Sequence, residues 1–264
     1  MTNTRTDPVR LADPVLFALS GLLFATSVMA TIYFCRTMSG GMEMPGKWTM
    51  SMMWMRMPGQ TWPAAVAMFL VMWLAMMVAM MLPSALPMLL SYRRALRAAG
   101  ETRPGMRMAL MAGGYFAVWM AVGGLIYPIA VGVAWAAMRW PGVSSAMPAV
   151  AGAAMVVAGL LQFTNWKMAG LCSCRDPRAC AARACSGRRG AWRGGLRQGV
   201  SCAVCCSGLM LAMLVLGAMD VTVMFVVAVV IALEKIAPRP EWVVRTSGAV
   251  AVVFGTAMIV HSLL

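Results

Sequence analysis

An all-α, polytopic transmembrane helical bundle is the fold the sequence predicts, and three observations predict it. Of 264 residues, 61% are apolar and 11% charged, against about 45–50% and about 25% in a soluble domain. The apolar residues collect in runs of about 20 or more, the length a helix needs to cross a hydrocarbon core of about 30 Å. Prolines, glycines and basic residues punctuate those runs. The chain, 1–264, therefore reads as a single integral membrane domain.

The run 14–35 shows no small-residue cleavage signal and reads as a membrane anchor rather than a removable leader. The run 62–92 is too long for one upright crossing, so it tilts, kinks or protrudes, and Pro83 and Pro87 supply a break. The third span covers 106–137, with Pro128 inside it, and the fourth lies near 146–168. The stretch 199–236 is again too long for one crossing. It divides at Gly217-Ala218-Met219-Asp220, where a glycine and a helix-capping aspartate make a hairpin turn. A last span covers 242–264. The count is about seven, or six if that division does not occur.

Orientation follows from the 22 basic residues, because short loops rich in Lys and Arg stay cytoplasmic. With seven spans and the N-terminus in the cytoplasm, only Arg36, Lys47, Arg56 and Arg139 fall outside. The C-terminus is then external. Basic residues that flank membrane spans, with no aromatic-basic face, exclude nucleic acid as the reason for the formal charge of +14 and point to the lipid bilayer with its anionic headgroups.

Sulfur carries the chemistry. Thirty methionines equal all charged residues together, an excess that packing does not require and that soft-metal binding explains. The outer loop 36–61 holds Met38, Met42, Met44, Met50, Met52, Met53, Met55 and Met57. Thioethers select Cu(I), need no deprotonation and are not lost to disulfides in an oxidising compartment. The alternative is an interfacial segment with Met and Trp as apolar filler. In the second span, Met72, Met76 and Met80 form one helical stripe and Met77 and Met81 the next, with Met88 further on. Packing between kinked helices is the competing reading there.

Cys202, Cys205 and Cys206 stand at i, i+3 and i+4, on one helix face that Met210 and Met213 continue. That face starts near the cytoplasmic surface, at a depth Met88 is expected to share. The Cys/Arg-rich cytoplasmic loop 167–198 contains Cys172, Cys174, Cys180 and Cys185 without zinc-finger or ferredoxin spacing. Its arginines favour thiolates. Glu234 and Lys235 are expected to form a local ion pair, and His261 to close the last helix. No Ser/His/Asp set, paired carboxylates or nucleotide loop supports a hydrolase or NTPase.

Three blocks, WLAMMVAMMLPSALPM, KMAGLCSCRDP and GGLRQGVSCAVCCSGLM followed by LEKIAP, resemble the predicted metal-binding integral membrane proteins. This is a bacterial family of unknown function often labelled copper chaperone, and the likeness covers 62–238. The resemblance implies a polytopic protein of the bacterial inner membrane that handles copper. It carries over Met77, Met80, Met81, Pro83, Pro87 and Met88 in the first block and Cys202, Cys205 and Cys206 in the last. In the middle block the family pattern has cysteines three and seven after the lysine. Here Gly170 takes the first place, Cys174 the second, and Cys172 is additional.

The expected function is Cu(I) acquisition, transfer or chaperoning through Met and Cys ligands at Met42, Met44, Met53, Met55, Met57, Met77, Met80, Met81, Met88, Cys172, Cys174, Cys202, Cys205 and Cys206. A copper donor or acceptor protein, or a membrane copper enzyme, is the implied partner, and no catalytic residue is assigned. Two alternatives stay open. One is a membrane thiol oxidoreductase using the C-x-x-C pair Cys202/Cys205, and the other is a noncatalytic subunit or assembly factor of a membrane complex.

Overall fold

The structure, a computed structural model, describes residues 14–38, 40–46, 48–56, 59–101, 104–175 and 187–263. Among the described residues the α-helices number eight: α1 (Pro14–Thr37), α2 (Trp62–Ala98), α3 (Pro104–Arg139), α4 (Pro141–Gln162), α5 (Asn165–Arg175), α6 (Gly187–Gly217), α7 (Val221–Ile236) and α8 (Pro240–Leu263). Between α1 and α2 lie an antiparallel hairpin, β1 (Gly41–Met44) with β2 (Trp48–Ser51), and a 3-10 helix (Met52–Trp54). Among the described residues six helices, α1 to α4, α6 and α8, are long and apolar enough to cross a membrane, so the chain is a multi-pass membrane protein. With 16 residues, α7 is the shorter companion of α6.

The long run near the C-terminal third does divide at its glycine and aspartate. Gly217 has φ 120°, a conformation that side chains with a Cβ rarely adopt. Asp220 then caps α7, its Oδ1 accepting from the Thr222 N–H at 2.7 Å and the Val223 N–H at 3.2 Å.

Two expectations are corrected. Pro83 and Pro87 do not break the second span, because α2 runs through both for 37 residues. Neighbouring helices and hydroxyls can satisfy the backbone around prolines in a membrane helix, and the Ser84 hydroxyl between them donates to the Met81 carbonyl at 2.9 Å. The fourth span ends at Gln162 rather than continuing to Met168. Thr164 restarts the chain by accepting the Lys167 N–H on its hydroxyl at 3.3 Å, which caps the separate helix α5.

In a membrane, helices associate through close packing rather than through the hydrophobic effect, and small residues permit that approach. On α4 and α8, Gly152 faces Gly255 and Gly159 faces Gly248. A Cβ at any of the four would lie 2.7–3.1 Å from the partner's carbonyl oxygen. The pairing order makes these helices antiparallel. On α3 and α6, Gly114 packs on the Trp192 carbonyl and Gly199 on that of Tyr115, so these two run parallel. The indole of Trp73 on α2 lies over Gly123 of α3 and donates to the Trp119 carbonyl at 2.8 Å. These contacts bring α2, α3 and α6 around one sulfur-rich core that includes Met76, Met77, Met80, Met81, Met210 and Met213.

Candidate metal centre

Cys202, Cys205 and Cys206 are buried on α6, and their i, i+3 and i+4 spacing places the three sulfurs on one face. The amphipathic helix α5 adds a fourth. Gly170 lets α5 approach, since a Cβ there would lie 3.2 Å from Cys205 Cβ and 3.2 Å from the Ser201 carbonyl. The Ser173 and Ser201 hydroxyls meet at 3.3 Å, and Cys174 arrives 3.7 Å from Cys205, sulfur to sulfur.

An ion pair locks α5 in place from the other side. Lys167 of α5 and Glu234 of α7 meet at 2.6 Å with both side chains 2% exposed. Gln162 Nε2 donates to the same carboxylate at 3.0 Å, and Arg175 donates to the Glu234 carbonyl at 3.1 Å. This corrects the expected local pair of Glu234 with Lys235. Neighbours in a helix point about 100° apart and do not face one another, so the two charges leave in different directions. Lys235 turns inward, where its ammonium donates to Cys202 Sγ at 3.2 Å and to Ser84 Oγ at 3.0 Å.

Cys202 is therefore the hub. It lies 4.0 Å from Cys206 and 3.9 Å from Met81 Sδ, and it accepts from the Tyr115 hydroxyl at 3.0 Å. Cys205 and Cys206 are 3.6 Å apart. The sulfurs of Cys174, Cys202 and Cys205 all lie within 4.8 Å of one another, close enough to hold one ion. Thiolates sharing one ion at the usual ~2.3 Å metal–sulfur distance stand about 3.8–4.0 Å apart in tetrahedral or trigonal sets. The donor set, thiolates with a thioether, is that of Cu(I) or another soft cation. The neighbouring Cys202 thiol, and then burial, push the Cys174 thiol above its ordinary range, and a soft cation binds the thiolate with release of the proton.

A family model described as copper chaperone, PpoB2, matches residues 70–258. The chain belongs to that family. The copper chaperone match spans Met81, Cys174, Cys202, Cys205, Cys206 and Lys235, and so takes in the whole cluster, while the outer methionines 38–57 precede it. No curated protein and no solved structure matches the chain.

The other sulfur residues singled out in the sequence fall into three groups. Met77 and Met80 are buried in the same core as the cysteines. Met88 is not at the level of Cys202. It packs in a separate cluster with Leu89, Tyr92 and Met108, because Met81 and Ser84 already stand beside Cys202 and Met88 is a further one to two turns along α2. Cys172 is exposed. Two residues from Cys174, it points to the opposite side of α5 and does not replace the cysteine that Gly170 displaces.

In the outer loop, Met44 and Met50 of the hairpin are buried against Ala134 and Ala137 of α3, and Met42 is exposed. Met53 and Met55 line a small cavity with other methionines. Met57, Cys180 and Cys185 lie outside the described residues, as do Arg5, Arg10, Lys47, Arg103, Arg178 and Arg183. Sequence reasoning did not find Tyr115, Ser84 or the inward turn of Lys235. The available signal was a lysine at the end of a membrane segment, a position where charge is costly and usually has a partner.

Proposed function

We propose that this copper chaperone family member binds Cu(I) through Cys174, Cys202, Cys205, Cys206 and Met81, and acts in copper acquisition, transfer or chaperoning in the bacterial inner membrane. The single observation that carries the reading is the convergence of four cysteine sulfurs from two helices at 3.6–4.0 Å, with the Met81 thioether beside them. Lys235 fits the same chemistry. A monovalent ion held by two thiolates carries one net negative charge, which is costly to bury unless paired, and the Lys235 ammonium at Cys202 supplies the opposite charge.

The distribution of basic residues supports a cytoplasmic N-terminus and an external C-terminus. Copper is cargo in this reading, so the exchange partner is a copper-carrying protein or a membrane copper enzyme. Exchange calls for ligands that can be given up one at a time. Cys174, on the short helix α5, is the one cysteine of the four that is only partly buried.

The test is copper content by mass spectrometry of detergent-purified full-length chain loaded with Cu(I) under reducing conditions. Wild type should retain copper at the cluster, and Cys205→Ala/Cys206→Ala should lose it. Copper retained in full by that variant contradicts the assignment.

A second reading has its own observation. Cys174 and Cys205 lie 3.7 Å apart on different helices, a better-placed redox couple than Cys202 and Cys205, whose positions are fixed within one helix. Thiol trapping of a reversible Cys174–Cys205 disulfide would favour a membrane thiol oxidoreductase. That reading leaves the surrounding methionines without a role.

A further inference from the structure

A second sulfur assembly lies at the other end of α2. Met38 follows α1, Met52 and Met53 belong to the 3-10 helix, Met55 caps it, and Met68 and Met72 stand at i and i+4 on α2. All six line one cavity of about 30 Å³. Organic-ligand pockets run to about 300–1,000 Å³, so this space suits a single small ion.

The walls are positioned by contacts independent of the cavity. The Ser144 hydroxyl donates to the Pro45 carbonyl at 2.8 Å and Trp48 Nε1 donates to the Ser144 carbonyl at 3.0 Å, which ties the hairpin to α4. Ser51 caps the 3-10 helix by accepting the Met53 N–H at 3.3 Å. The sulfurs are graded from surface to interior, with Met52 38% and Met68 40% exposed while Met53 and Met72 are buried. Phe69 and Tyr127, with ring centroids 4.7 Å apart, form the inner wall and add π faces that attract cations.

We propose that this cavity, whose wall also includes Gln60 with its amide donating to Met68 Sδ at 3.7 Å, is a second, thioether-rich site for a soft monovalent cation of the Cu(I) or Ag(I) type. Met72 is both its inner wall and the first of the buried methionines that continue along α2 through Met76 and Met80 to Met81, which touches Cys202. From Met72 to Met81 the helix rises about 14 Å, so the two sites are distinct. Ion binding here stands independently, while delivery from this site to the cysteines rests on the function proposed above. Thioethers do not titrate, so occupancy of the methionine site is insensitive to acid, whereas thiols must lose protons to bind.

The experiment counts Ag(I) and Cu(I) equivalents on the full chain in lipid nanodiscs under reducing conditions. Wild type is expected to bind two. Met52→Leu/Met53→Leu/Met72→Leu, which keeps the apolar volume, should bind one and weaken the lost site at least tenfold. Cys202→Ala/Cys205→Ala/Cys206→Ala should keep one equivalent whose affinity changes less than twofold between pH 7 and pH 5. The methionine variant leaves all four cysteines and Met81 in place, and with the fold checked by its unfolding midpoint it is decisive by itself. If it retains both equivalents, the inference is overturned. One wild-type equivalent that only the cysteine variant loses also overturns it and leaves the cysteine reading intact. One equivalent that only the methionine variant loses supports the cavity and removes the cysteine site.

Discussion

Lys235 Nζ lies 3.2 Å from Cys202 Sγ, and Tyr115 donates to the same sulfur at 3.0 Å. A buried hydroxyl thus depends on this thiol, and a half-buried ammonium shares it with Ser84. Leaving a buried donor without a partner costs about 1–3 kcal/mol, so Cys202→Ala should destabilise the protein by more than the lost side-chain volume explains. Adding Lys235→Met removes the ammonium that has lost one of its two partners and keeps only Ser84. Thermal unfolding in detergent should show the double variant recovering about 1 kcal/mol or more relative to additivity, and strict additivity would mean the Lys235 contact is incidental.

The Lys167–Glu234 pair should be costly to break and cheap to replace. Removing one member of a buried pair costs about 3–5 kcal/mol because the other charge is left uncompensated. Lys167→Met should therefore unfold or severely destabilise the chain. Lys167→Met/Glu234→Gln, which retains hydrogen-bonding atoms toward Gln162 and Ser247, should return most of the stability in the same melt.

Gly170 sets the distance between α5 and α6. Gly170→Val should push α5 outward, part Cys174 from Cys205 and reduce Cu(I) affinity about tenfold in a chelator competition while the protein stays folded. Gly124→Ala, at a helical position with nothing within 4 Å of the added Cβ, should leave affinity unchanged.

The glycine faces hold the bundle itself. A Cβ at Gly195 would collide with the Met111 carbonyl, and one at Gly159 would lie 2.7 Å from the Gly248 carbonyl. Overpacking of this kind usually costs about 1–3 kcal/mol. Because the obstacle is backbone, Gly195→Ala and Gly159→Ala should reach or exceed that range, each lowering the unfolding midpoint. No shift in either variant would contradict the packing described.

Sequence pattern was a good guide wherever one element decides the outcome. Apolar run length located the long helices, and Gly217 with Asp220 marked the turn into α7, because capping is local chemistry. The shared face of Cys202, Cys205 and Cys206 follows from helical periodicity alone. What could not be read depends on contacts between elements distant in the chain. Glu234 finds Lys167, 67 residues away, and Lys235 finds Ser84 at a separation of 151. Gly170 looks like a missing ligand in sequence and proves to be the contact that admits Cys174. Met44 and Met53 are close neighbours in one methionine-rich loop, yet the hairpin buries the first against α3 while the second lines the cavity.

The most direct test of the central claim is X-ray absorption at the copper edge on wild-type chain carrying one equivalent of Cu(I). The predicted spectrum is a sulfur-only coordination shell at about 2.3 Å that loses at least one sulfur in Cys205→Ala/Cys206→Ala. A shell of nitrogen or oxygen, or a spectrum unchanged by that variant, would contradict it.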